Sequence, residues 1–256
     1  MPLTRDRLAV VTGGSSGIGA SIARALRARG WQLVLLARGE ERLAAVSAEL
    51  EVETERCDVA DREDVERVAA AVRARYPAID LLVNNAGIPG RGGFLDLDPE
   101  RIESLVRVNY LGSVWCARAF LPALQAARGD IVNVVSVAGT VAAGPSGPYN
   151  ASKHAQLAFS RSLTVELGGR GIRVHTINPG FVHTPGFPNR DRFGRRLRPL
   201  VAEPDQVAEA VLRALDRNRI EQFVPWWYRP AAVAQAAAPG LLVRAARARG
   251  PWRVRS

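Results

Sequence analysis

Short apolar runs of strand length alternate with longer stretches whose apolar residues recur every three or four positions along most of the chain. The runs are Leu8 to Thr12, Gln32 to Ala37, Glu53 to Cys57, Leu81 to Asn84, Asp130 to Val135, Arg173 to Ile177 and Gln222 to Val224. The helical patterns are Ala20 to Arg29, Glu40 to Leu50, Asp61 to Arg75, Pro99 to Gln125, Ala151 to Leu167 and Pro204 to Arg217. Strands without alternation, separated by amphipathic helices, predict βα units around a parallel sheet covered on both faces. The expected fold is α/β, a single doubly wound parallel sheet of about seven strands with helices on both sides. It is expected to occupy residues 1–225, leaving 226–256 as a basic extension rich in tryptophan and alanine. Ligands of such sheets sit outside the carboxyl ends of the strands, which directs attention to the loops that follow each run.

Charge changes the picture only locally. The chain of 256 residues carries a net +10, but residues 190–198 hold +4 of it and the residues after Glu221 hold +6, with no acid among the latter. The surplus belongs to one loop and the tail and not to the fold, which argues against a nucleic-acid surface. Cys57 and Cys116 lie in apolar runs, and three scattered histidines make no cluster. Buried thiols in a reducing compartment are expected, with no metal site. No charged start followed by an apolar run and cleavage site opens the chain, and no apolar stretch is long enough to span a bilayer. A cytoplasmic location is the expectation.

Lys153 is the only lysine in the chain. An arginine-rich sequence that keeps one lysine needs there a compact ammonium whose proton can be shared, which a guanidinium does not supply. Tyr149 stands four residues earlier, so on a helix phenol and ammonium share a face, one turn apart. A cation there favours the phenolate and pulls the tyrosine down toward neutrality, where it serves as a general acid or base. Thr12-Gly-Gly-Ser-Ser-Gly-Ile-Gly19 follows the first run and opens a helix. Its glycines let backbone approach a pyrophosphate, whose charge the helix N-terminus binds, with Ser15 and Ser16 offering hydroxyls. The second strand ends in Ala37-Arg38, without the carboxylate that would bind a ribose 2′-hydroxyl, and Arg38 can meet a 2′-phosphate. NADP(H) is therefore expected in preference to NAD(H), which stays admissible. Asp58 and Val59 follow the third strand, Asn84-Asn-Ala-Gly87 the fourth, and Pro179 and Gly180 the sixth, with Val182 and Thr184 beyond. Asn109 lies inside a helical pattern, where asparagine needs a local hydrogen bond to account for it, and Ser136 ends the fifth strand.

Together these residues resemble the short-chain dehydrogenase/reductase family, in its single-domain form with a Rossmann-like sheet, from about Leu8 to Pro225. The resemblance implies reversible hydride transfer between NADP(H) and a carbonyl or alcohol. It implies a catalytic set of Asn109, Ser136, Tyr149 and Lys153: Tyr149 as proton donor, Ser136 polarising the carbonyl oxygen, Lys153 binding the nicotinamide ribose and lowering the Tyr149 pKa, and Asn109 holding a water. Cofactor contacts are implied at Gly13, Ser15, Ser16, Gly17, Ile18, Gly19, Arg38, Asp58, Val59, Asn85, Ala86, Gly87, Tyr149, Lys153, Pro179, Gly180, Val182 and Thr184. A homo-oligomer is implied through the helices bearing Asn109 and Tyr149, a dimer ahead of a tetramer because the tail can obstruct one tetramer surface.

Phe94, Phe181, Phe187 and Phe193 suggest an apolar pocket for a lipophilic small molecule. One alternative is a 3-oxoacyl carrier-protein reductase, with Arg128 and Arg170 near the site to meet an acidic carrier. Another is a non-catalytic NADP(H) sensor. The tail, with Trp226, Trp227 and Tyr228, Leu241 to Val243, and arginines up to Arg255, reads either as a helical cap or as an interfacial segment on anionic lipid.

Overall fold

The computed structural model describes residues 6–90, 92–142, 146–185 and 201–249. Strands β1 (Leu8–Thr12), β2 (Gln32–Ala37), β3 (Glu53–Arg56), β4 (Leu81–Asn84), β5 (Asp130–Val134) and β6 (Arg173–Pro179) come first. A short pair, β7 (Phe181–Val182) and β8 (Val201–Ala202), precedes the final strand, β9 (Glu221–Val224). Helices α1 (Gly17–Arg27), α2 (Glu40–Leu50), α3 (Arg62–Arg75), α4 (Pro99–Val106), α5 (Gly112–Ala127), α6 (Gly147–Gly168) and α7 (Pro204–Arg217) connect them, and α8 (Arg229–Ala237) and α9 (Pro239–Arg249) follow.

The main sheet has seven strands in the order β3-β2-β1-β4-β5-β6-β9, every neighbouring pair parallel. Successive β1 residues face opposite layers. Leu8 and Val10 pack with Val65, Val68 and Val72 of α3 and Phe120 and Leu124 of α5. Ala9 and Val11 pack with Ile22 and Leu26 of α1 and Val207 and Val211 of α7. Both faces are thus removed from water, which is why the strands read as continuous apolar runs. Strand order reverses between β1 and β4, and the crevice at their carboxyl ends is where a doubly wound sheet takes its ligand.

Local signals set most boundaries. Asp61 caps α3, its carboxylate accepting from the amides of Glu63 at 2.9 Å and Asp64 at 3.4 Å. Asp98 caps α4 in the same way, with Pro99 in the first helical turn. The single helix expected from Pro99 to Gln125 is instead α4 and α5 joined by a π turn over Arg107–Leu111. The cause is Asn109 at its centre, whose side chain is bound outside the helix. Helix α6 begins at Gly147, four residues before the expected Ala151, and β6 runs two residues past Ile177. The pair β7 and β8 was not among the expected elements, and the tail, read as a helical cap or an interfacial segment, forms the helices α8 and α9. Among the described residues no helix is long and apolar enough to cross a membrane.

Candidate active site

The loop after β1 is braced from β4. Thr12 Oγ1 donates to Val83 O at 3.2 Å and accepts from the amides of Asn85 and Ala86, both at 3.0 Å. Gly13 has φ +65°, and a side chain on Gly19 would overlap the Gly13 carbonyl, so α1 starts directly against the turn. Ser16, Gly17 and Ile18, the start of α1, line a cavity of about 290 Å³. Amides of a helix's first turn lack intrahelical partners and favour an anion there. Ser15 lies in the same turn without lining the cavity.

Asn85, Ala86 and Gly87 form the opposite wall, and Pro179, Gly180, Val182 and Thr184 enter from the loop after β6. Ser136, Tyr149 and Lys153 line the same cavity. A second hollow of about 90 Å³ shares Gly13, Ala86 and Gly87 with the first and is walled by Ala37, Arg38, Asp58 and Val59. There Arg38 Nη1 stands 3.7 Å from Asp58 Oδ2 with its side chain mostly exposed. The two hollows together make an elongated space, walled by glycines at the start of α1 and bordered at its far end by Arg38 and Asp58.

The catalytic candidates come from three elements. Ser136 caps a short 3-10 turn after β5, accepting from Ala138 N at 3.1 Å and donating over 3.4 Å to Pro179 O. Helix α6 carries Tyr149 and Lys153. Asn109 is fully buried: its Oδ1 accepts from Ile88 N at 2.8 Å, and its Nδ2 donates to Ile88 O at 3.2 Å and Ser152 Oγ at 3.1 Å. Its side chain thereby clamps the loop after β4 to α6.

The expected pull of Lys153 on the phenol is not what this geometry gives. Burial pushes the Tyr149 phenol above its ordinary value, the Ser136 hydroxyl draws it partly back, and no effect of Lys153 enters. Lys153 is buried as well, which pushes its ammonium down to about 7. Its Nζ donates to Gln156 Oε1 at 2.8 Å and more weakly to Val134 O at 3.4 Å. Desolvation acts on both members, so each favours its neutral form.

A family model described as short chain dehydrogenase matches residues 7–193. The chain belongs to the short chain dehydrogenase family. It is similar to a putative ketoacyl reductase of Streptomyces coelicolor, 40% identical over 191 residues that cover 71% of this chain and 73% of the relative. A short-chain dehydrogenase from Sphingobium yanoikuyae in complex with NADPH superposes with TM-score 0.78 at 33% identity, covering 92% of this chain and 95% of that one. An actinorhodin polyketide ketoreductase variant with NADPH superposes with TM-score 0.75 at 34% identity, covering 81% and 89%. As a member of the short chain dehydrogenases, the protein is an NAD(P)-dependent oxidoreductase.

Some expectations of placement are corrected. Phe94 and Phe181 line neither hollow and are 73% and 43% exposed; Phe187 and Phe193 lie outside the described residues, as does the arginine run 190–198. Arg128 and Arg170 are at the wrong end of the sheet to flank the site. Arg128 lines a charged hollow with Asp80, Asp130 and Arg173, and Arg170 precedes β6, so both belong to the amino edge. In the tail, Tyr228 packs on Gly180, where a side chain would overlap its ring, and α8 then borders a cleft against α6 and β9. No described tail residue lines the cofactor cavity; the arginines after residue 249 lie outside the described residues.

Sequence reasoning missed the buried polar ladder behind the site. Asn84 Nδ2 donates to Asn133 Oδ1 at 2.9 Å, Asn133 Nδ2 to Ser160 Oγ at 2.8 Å, and Ser160 meets Thr176 Oγ1 at 2.7 Å. The signal was available: Asn133 interrupts the apolar run of β5, and such an asparagine needs partners from neighbouring elements.

Proposed function

We propose that the protein transfers hydride between NADP(H) and the carbonyl or alcohol of an apolar small molecule, with Tyr149 as general acid and base. The observation that carries this reading is the meeting of Ser136, Tyr149 and Lys153 with the glycine turn on one cavity. The nicotinamide, when bound, supplies or accepts the hydride. Tyr149 gives its proton to the substrate oxygen in reduction and takes it back in oxidation. Burial holds the phenol above its ordinary value, so its work near neutrality needs a positive charge brought beside it. Ser136 exchanges its long bond to Pro179 O for one to the substrate oxygen and stabilises the charge that develops there. Lys153 binds the ribose and restores positive charge beside the phenol. Thr184 holds the carboxamide. The chain's Arg38, in place of an acid after β2, favours NADP(H) over NAD(H).

The relatives named ketoacyl reductase or polyketide ketoreductase favour a second reading within this class, reduction of a ketone on an acyl chain. The complete Ser136, Tyr149 and Lys153 set speaks against a non-catalytic NADP(H) sensor. Tyr149→Phe tests the assignment on purified protein with a panel of lipophilic ketones and acyl-thioester ketones. The variant should keep NADPH binding and lose roughly 100- to 10,000-fold in rate; full activity would remove the proton role.

The tail fits contact with an anionic lipid surface. No residue of α8 is buried, and Trp226, Val233, Leu241 and Val243 are largely exposed in a segment whose only charges are arginines. Full-length protein should co-sediment with anionic vesicles at low salt while a chain ending at residue 228 does not. Equal sedimentation of the two rejects the contact. The oligomer expected through the helical stretch bearing Asn109 and the helix bearing Tyr149 is a dimer, to be read by light scattering after gel filtration.

A further inference from the structure

Gln156 sits one turn beyond Lys153 on α6, is fully buried and does not line the cavity. A glutamine amide so placed is costly unless both ends are satisfied. Both are: Oε1 accepts from Lys153 Nζ at 2.8 Å, and Nε2 donates to Ser113 Oγ of α5 at 2.8 Å. While Lys153 is charged it only donates, so it faces the amide oxygen and leaves the amide nitrogen for the serine. Ser113 is itself buried and anchored in α5, so the carbonyl that Lys153 meets is held from a second helix.

The surroundings of Lys153 offer dipoles and no compensating charge. Tyr149 lies on its own helix, Val134 offers a backbone carbonyl from β5, and a side chain at Gly87 would come within 3.7 Å of Nζ and 3.2 Å of Asn109 Oδ1. Ser113 reaches it from α5 only through Gln156. Burial is the sole cause acting on the ammonium; the charged side chains nearest along the packed elements are engaged elsewhere, Asp130 of β5 with Arg173 and Arg161 of α6 with Glu221. Of its two acceptors Gln156 makes the shorter bond, and the carbonyl of Val134 is fixed in the sheet. Gln156 is therefore the adjustable one.

We propose that Gln156 is a positioning residue that holds the Lys153 head group through its carbonyl oxygen, braced by Ser113, and thereby sets the pH at which that lysine is charged. The claim rests on the role given to Lys153 above, and its test reads the lysine separately from turnover. Because the chain has one lysine, untagged protein made with ¹³Cε-lysine gives a single Cε resonance that titrates with Lys153 alone. Gln156→Met removes the acceptor and should lower the titration midpoint by on the order of one pH unit, whereas Gln156→Glu keeps an acceptor, adds charge and should raise it by a similar amount. The pH profile of the carbonyl reductase rate should move in the same two directions. If either variant fails to fold, Ser113→Ala leaves Gln156 in place and frees its amide, giving a smaller shift in the direction of the methionine variant. A resonance that titrates at one pH in wild type and all folded variants overturns the role of Gln156. A resonance that moves while the rate profile stays still overturns instead the role of Lys153, and with it the catalytic part of the claim.

Discussion

Asn85 is tied to the main chain of Thr12: its Nδ2 donates to Thr12 O at 3.0 Å and reaches Gly13 O at 3.3 Å. One side chain after β4 therefore fixes the turn after β1, across the point where the strand order reverses. Replacing Asn85 by alanine leaves two carbonyls without that donor, at a cost of about 1–3 kcal/mol. The loss falls on the turn, so NADPH affinity should weaken by roughly 10- to 100-fold, with a fall of a few degrees in the thermal melt. Fluorescence titration with NADPH measures it, and an unchanged dissociation constant would show that the turn keeps its shape without Asn85.

Arg38 decides between the two nicotinamide cofactors if its guanidinium meets a 2′-phosphate. A charge-assisted contact of that kind is worth about 1.5–3 kcal/mol. Arg38→Ala should raise KM for NADPH by roughly tenfold or more and leave KM for NADH unchanged. Parallel rises for both cofactors would place Arg38 outside the discrimination and make its pairing with Asp58 a surface feature.

At the other edge of the sheet, Arg173 grips Asp130 through two bonds of 2.6 Å, and buried His175 brings Nε2 within 3.6 Å of the same carboxylate. Burial raises the Asp130 carboxyl, but the nearby His175 imidazole and the hydrogen-bonded Arg173 guanidinium outweigh it and hold it below its ordinary value. A depressed folded value means that the unfolded chain takes up the proton first as pH falls. The stability from Asp130 is therefore present above about pH 4 and lost below it. Asp130→Asn should cost about 1–3 kcal/mol at pH 7, discounted because Arg173 is half exposed, and less at pH 3. Urea unfolding at the two pH values checks the sign, and an equal loss at both would assign the effect to packing.

The sheet was legible because both its faces are covered. Leu8 to Val11 and Leu81 to Val83 are apolar throughout and pack on the helix layers, and strand ranges followed directly. The glycine turn and the Tyr149 and Lys153 spacing were legible for a related reason, since each is a local pattern on one element. What failed depended on relations between elements. The π turn at Asn109 comes from a loop 21 residues away in sequence. The misplacement of Arg128 and Arg170 came from ignoring chain direction: in a parallel sheet, a residue just before a strand cannot stand beside one just after it. The balance at Tyr149 was misjudged because helical spacing reports adjacency and not burial, and burial dominates there.

The π turn also makes chain length part of the site. Such a turn accommodates one residue more than a regular helix would. Deleting a single residue within 107–111 would let α4 and α5 fuse into an ordinary helix with both flanks still in register, but would abolish the widened turn in which Asn109 sits. Ser113 would keep its face toward α6, but Asn109 would lose the place from which it meets both Ile88 and Ser152. Substitutions across this stretch can be absorbed one at a time, but the count of residues cannot drift, so in relatives of this chain the spacing through the turn should be more invariant than the letters that fill it.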